Sequence, residues 1–152
     1  MVKIRIAKPK DQQRIADLLS HYALPEFAKK RAHAYTSFAN TVIAENNNKI
    51  VGMIQWNVKE NPQAGVIELE EAFVLEEYRN KGIGSQLIQK SLTSALEFFT
   101  KNKIIPRKAF LFVSKKNMGA RQLYEKMGFH KVAELNDLLS NGETELFYCK
   151  DF

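Results

Sequence analysis

The chain of 152 residues has a single cysteine, Cys149, and no run of about 18 consecutive apolar residues. One thiol cannot close an internal disulfide or found a cysteine-rich zinc site. An apolar run that short excludes a membrane-spanning helix. The three histidines, His21, His33 and His130, are scattered without the spacing of metal ligands, so no metal is expected. Prolines number four and glycines seven, and no repeat, low-complexity tract or linker divides the chain. The opening residues alternate apolar and basic side chains, which is not the pattern of a secretory leader. With one lone thiol, a reducing cytoplasm is the expected compartment.

What is present is the composition of an ordinary globular protein: 45% hydrophobic and 26% charged residues. The length suits one domain over residues 1–152. Lys and Arg number 23 against 17 Asp and Glu, a net charge of +6. That balance favours polyanionic partners, either nucleic acid or a phosphorylated cofactor. A basic surface with no partner is an equal reading of the charge alone.

Periodicity supplies the elements. "MVKIRIA" alternates as a strand. Asp11 offers a helix N-cap ahead of Ile15, Leu18 and Leu19, and a second helical stretch begins after Pro25 and runs through Phe27, Ala28, Ala32, Tyr35 and Phe38. "TVIAE" and "KIVGMIQWNV" read as strands across an Asn-rich turn, and "GVIELEEAFVL" as a third. Leu87, Ile88, Leu92, Ala95, Leu96 and Phe99 mark one face of a long helix. "KAFLFV" is apolar throughout, as in a central strand covered on both faces. A helix follows, with Asn117 at its cap and Gly128 just past its end, and then two strands. The order is β-α-α-β-β-β-α-β-α-β-β, a mixed α/β domain with helices on a central sheet.

The segment "RNKGIG", Arg79 to Gly84, lies between a strand and the long helix. Gly82 and Gly84 permit a tight turn and close approach of a ligand to the backbone. The amides of such a turn, with the free amides of the helix start, make a nest for a pyrophosphate. A Rossmann fingerprint fails because Leu87 stands where its third glycine belongs, and the Gly-Lys-Ser/Thr end of a P-loop is absent.

This segment resembles the acetyl-CoA-binding motif Arg/Gln-x-x-Gly-x-Gly/Ala of the GNAT acetyltransferase superfamily, through Arg79, Gly82 and Gly84. A second block, "NMGARQLYEKMGF", is similar to that family's Asn-x-x-Ala-x-x-Leu-Tyr-x-x-x-Gly-Phe pattern, through Asn117, Ala120, Leu123, Tyr124, Gly128 and Phe129. The blocks stand in the family's order. The resemblance implies a mostly antiparallel sheet of about seven strands flanked by four helices, with the fourth and fifth strands splayed apart.

It also implies an N-acetyltransferase that moves acetyl from acetyl-CoA to a primary amine of a small molecule or peptide. The pyrophosphate of coenzyme A would sit on the amides of Arg79, Asn80, Lys81, Gly82, Ile83, Gly84 and Ser85. The pantetheine arm would pair with main-chain groups of Phe73 and Val74, one of whose amides would serve the oxyanion. Ala120 would also lie along the cofactor. Asn117 would contact the arm or simply cap its helix.

An alkyl ammonium, with a pKa of about 10, must lose a proton before it attacks. Glu68 and Glu70 share one strand face and are the candidate bases, acting directly or through water. Both fit equally a surface or salt-bridged role. Glu71 belongs to the other face unless a bulge redirects it. Tyr124 resembles the family's general acid toward the coenzyme A sulfur, although an aromatic there could instead pack helix on sheet. Acceptor choice would fall to residues 11–40 and the loop before the last strand. Carboxylates at 68, 70, 71, 76 and 77 could favour a cationic acceptor. Nucleic acid and membrane are not expected partners, and a monomer and a homodimer both fit. A non-catalytic acyl-CoA sensor on the same fold is the alternative.

Overall fold

The computed structural model describes residues 1–37, 40–139 and 141–152. Its elements are β1 (Lys3–Ile6), α1 (Gln12–Leu19), α2 (Pro25–Ser37), β2 (Asn40–Asn46), β3 (Lys49–Val58), β4 (Val66–Val74), α3 (Ile83–Lys101), β5 (Lys108–Ser114), α4 (Met118–Lys126), β6 (His130–Asn136) and β7 (Thr144–Asp151). This is the order read from periodicity. Phe38, placed at the end of the second helix, lies outside the described residues. The strands form one seven-stranded sheet in the order β1-β2-β3-β4-β5-β7-β6. The β4–β5 pair is parallel; β1–β2, β2–β3, β5–β7 and β6–β7 are antiparallel.

Two compact units divide the chain, Met1–Asn57 with Glu71–Ser94, and Val58–Glu70 with Ala95–Phe152. In the first, Ile15 and Leu19 of α1, Ala28 and Ala32 of α2, Ile43 of β2 and Met53 of β3 are fully buried. In the second, Phe99, Leu111, Leu146 and Tyr148 form the centre. Tyr148 is completely buried, yet its hydroxyl is satisfied by donating to the Glu125 carboxylate of α4 at 2.7 Å.

Two local expectations are corrected. Asp11 does not cap α1 with its side chain; it ends a 3-10 turn, Pro9–Asp11, and accepts the Lys8 amide at 2.7 Å. Its carboxylate is fully buried and bound by the guanidinium groups of Arg5 and Arg14, which also reach Glu45. Two guanidinium groups and the Lys8 amide occupy this carboxylate and outcompete an amide of α1 for it.

β5 is not covered on both faces. Ala109, Leu111 and Val113 are buried, whereas Phe110 is half-buried and Phe112 is 40% exposed. An apolar run does not distinguish a doubly covered strand from one whose second face is left open.

Candidate active site

The segment Glu76 to Ser85 is built from a 3-10 turn, Glu76–Tyr78, a tight loop and the start of α3. Asn80 (φ 59) and Gly82 (φ 74) both adopt the left-handed region, either side of Lys81. That alternation curls successive amides toward one side, the geometry of an anion nest. The first helical bond is from the Gln86 amide to Gly82 O at 3.2 Å. The amides before it therefore have no acceptor within the helix. No acidic side chain stands in the first turn of α3 to oppose an anion.

A Cβ built on Gly82 would meet nothing nearer than Gln86 Nε2 at 3.9 Å, so the outer side of the turn is open. Of the following residues, Ile83 is buried and anchors the turn, while Gly84 and Ser85 are half-buried. The donor set and the open approach fit a diphosphate.

The basic side chains of the loop mainly brace it. Arg79 Nε donates to Val74 O at 3.0 Å, and Lys81 Nζ donates to Glu77 O at 2.8 Å while lying 5.3 Å from the Tyr78 ring centroid. Upstream, β4 approaches β3 closely. A Cβ on Gly52 would stand 3.0 Å from Phe73 O and 3.1 Å from Val74 Cγ2. A lone glycine inside a strand pattern signals such an approach and was readable in the sequence. The Phe73 ring packs on Tyr22, with centroids 4.8 Å apart.

Glu71, in the same strand, takes φ 51, which interrupts the extended alternation. Its carboxylate accepts from Tyr22 Oη at 3.0 Å and Arg31 Nη1 at 3.3 Å. Trp56 is 3% exposed and belongs to the core.

The other site residues lie in the second unit: Glu68, Glu70, Asn117, Ala120 and Tyr124. Glu68 and Glu70 do share one strand face, and Lys59 Nζ joins them, at 2.8 and 2.9 Å. The hydrogen bond to Glu68 is the main cause that raises the Lys59 pKa, reinforced by Glu70, so this lysine stays charged. Lys59 was not foreseen, because it meets β4 only through the β3–β4 hairpin, where its amide donates to Val66 O at 3.0 Å.

Asn117 caps α4: its side chain accepts the Ala120 amide at 3.1 Å. Tyr124 is 6% exposed, with its ring 6.0 Å from that of Phe129. Burial pushes its phenol up to about 12. Among the described residues, its hydroxyl has no side-chain or main-chain hydrogen-bond partner, unlike that of Tyr148. Burial keeps it a protonated donor at neutral pH. His21, His33 and His130 are all exposed, and no group of three or more metal-ligating side chains occurs among the described residues. No described helix is long and apolar enough to cross a membrane.

Known proteins share the sequence pattern and the fold. Residues 9–129 match the acetyltransferase (GNAT) family. An N-alpha-acetyltransferase of Sulfurisphaera tokodaii is 30% identical over 157 residues, covering 93% of this chain and 87% of that protein. An acetyltransferase of the GNAT family from Streptococcus pneumoniae has the same fold, with a TM-score of 0.81 at 20% identity over 100% of this chain and 99% of that one. Salmonella typhimurium yncA, solved with its cofactor acetyl-CoA, has a TM-score of 0.80 at 15% identity over 99% and 94%. The chain belongs to the GNAT acetyltransferase family and is an acetyl-CoA-dependent N-acetyltransferase.

Proposed function

We propose that the acceptor is the α-amine of a peptide or protein N-terminus. The observation that supports this acceptor is the 30% identity, over 93% of the chain, to a relative named N-alpha-acetyltransferase.

The amides from Asn80 to Ser85 hold the diphosphate of coenzyme A, their orientation set by the left-handed residues Asn80 and Gly82; the Arg79 amide, expected among them, instead donates to Glu76 O at 3.0 Å. Main-chain groups of Phe73 and Val74 pair with the pantetheine arm as an added strand would. One of their amides donates to the carbonyl oxygen as it gains charge. When bound, acetyl-CoA supplies the thioester carbonyl. Ala120, small and half-buried on α4, leaves room beside the arm. Asn117 keeps the start of α4 in place through its cap.

One of Glu68 and Glu70 receives the proton of the incoming ammonium, directly or through one water. Lys59 gathers the two carboxylates, so their like charges are tolerated on one strand face. Tyr124, still protonated at neutral pH with its pKa near about 12, donates to the departing sulfur. The ammonium first gives one proton to a glutamate; the amine then adds to the thioester carbonyl, the C–S bond breaks with the phenolic proton passing to sulfur, and the second nitrogen proton and the glutamate's proton leave to solvent. Bulk solvent then reprotonates Tyr124.

The experiment is a panel of short peptides, free amino acids, polyamines and aminoglycosides with acetyl-CoA, followed by thiol release and by mass spectrometry of the product. Acetylation of peptide α-amines is expected. Transfer to small amines alone, or to lysine side chains alone, would overturn the acceptor assignment. Coenzyme A binding with no turnover on any amine would favour a sensor.

A further inference from the structure

The open face of β5 has a built counterpart on β7. Phe112 pairs with Phe147 and Phe110 with Cys149 across the antiparallel register, so these side chains share one sheet face. The rings of Phe110, Phe112 and Phe147 form a panel, with centroids 5.4 Å (Phe110–Phe147), 5.1 Å (Phe112–Phe147) and 6.1 Å (Phe110–Phe112) apart. The opposite face is closed: Ala109, Leu111 and Tyr148 are buried. Phe112 nevertheless leaves 40% of its surface exposed. A packed aromatic panel with an exposed member exceeds what a polar outer face of a sheet requires.

The neighbouring strand adds charge to this panel. Glu68 of β4 is the register partner of Phe110, so its side chain stands on the same face one strand away, about 4.8 Å. Glu70 follows two residues on, and both are tied to Lys59. The carboxylate pair so held stands beside the phenylalanines. The face is thus acidic at one edge and aromatic next to it.

We propose that this face selects a peptide whose first residue is apolar, with its α-ammonium at Glu68 and Glu70 and its side chain on the panel of Phe110, Phe112 and Phe147. An α-ammonium and the side chain of the same residue branch from one Cα, the nitrogen about 1.46 Å away. A group drawn to the glutamates therefore carries its own side chain onto the adjacent strand. A lysine ε-ammonium brings only its stem, and a polyamine brings further charge that the rings cannot solvate. Charge complementarity and the one-strand spacing both favour an N-terminal residue such as Leu, Met or Phe. The inference rests on the α-amine acceptor proposed above.

The test uses peptides that differ only in the first residue, Leu, Met or Phe against Ser, Asp or Glu, with kcat/KM measured for each. Wild type is expected to favour the apolar set by about tenfold or more. Phe112→Ala should lower that ratio by about tenfold, mainly through KM, while Phe112→Leu retains most of it. Melting curves check that both variants fold, which the exposure of Phe112 favours. A wild-type ratio near one, or a ratio unchanged in Phe112→Ala, would overturn the proposal. So would a wild-type dimer that Phe112→Ala dissociates with the ratio intact, because the panel would then be an interface between copies. α-Amine transfer without apolar preference sinks this inference alone; absence of any α-amine transfer sinks the acceptor assignment beneath it.

Discussion

In the roles we propose, Gly82 and Tyr124 are the residues whose replacement should separate cofactor binding from chemistry. Asp tolerates a left-handed backbone better than most side chains. A Cβ at Gly82 has open space around it. Gly82→Asp should therefore fold, but it places a carboxylate where the diphosphate belongs. Calorimetry should show coenzyme A affinity lost, with the melting temperature within a few degrees of wild type. Tyr124→Phe removes one hydroxyl from a buried ring whose packing near Phe129 the variant keeps. Stability should hardly change, and coenzyme A affinity should persist, while kcat falls on the order of 10². Steady-state kinetics with saturating acetyl-CoA reads that drop. Both residues were legible in the sequence because the two motifs have rigid spacings. Lys59 and the Tyr22–Arg31–Glu71 cluster were not, since each is assembled from residues with no fixed separation along the chain.

At the scale of elements, the first unit has a charged joint. Asp11 binds Arg5 of β1 and Arg14 of α1, and both arginines reach Glu45 of β2. The Arg5 hydrogen bond is the largest influence holding the Asp11 carboxyl well below the usual carboxylate range, against the opposing effect of burial. A depressed native pKa stabilises the fold above the unfolded value, about 4, and that stability is lost as the pH falls through the native value. Asp11→Asn should cost about 3 kcal/mol at neutral pH, since it leaves two arginines short of a partner. The melting-temperature gap between wild type and variant should be widest near pH 7 and shrink below about pH 4. A gap that stays constant down to pH 2 would show that the carboxylate's ionisation contributes nothing. The sequence marked Asp11 as a cap because an acidic residue before an apolar-periodic segment is the usual signal. It could not show that two arginines, from a strand and a helix, converge on the same oxygen atoms.

For the molecule as a whole, both β4 and α3 run from one compact unit into the other. Neither unit can lose its part of these elements without disturbing the remainder, so we expect one cooperative thermal transition, as for a single domain. Coenzyme A at about 100 times its Kd should stabilise the native state by about 2.7 kcal/mol. For a chain of this size the whole transition should move up by about 5–10 °C. Calorimetry that resolves two transitions, only one of them shifted, would contradict the single-domain expectation. The order of elements and the glycine-bearing turn before α3 followed from the sequence alone, because helical and strand periods and glycine placement are local properties of neighbouring residues. Strand register, the Lys59 link between two glutamates, the Asp11 joint and the open aromatic face of β5 were settled only by tertiary structure. Each depends on which distant residues become neighbours, and an apolar or charged side chain reads the same in sequence whatever it eventually meets.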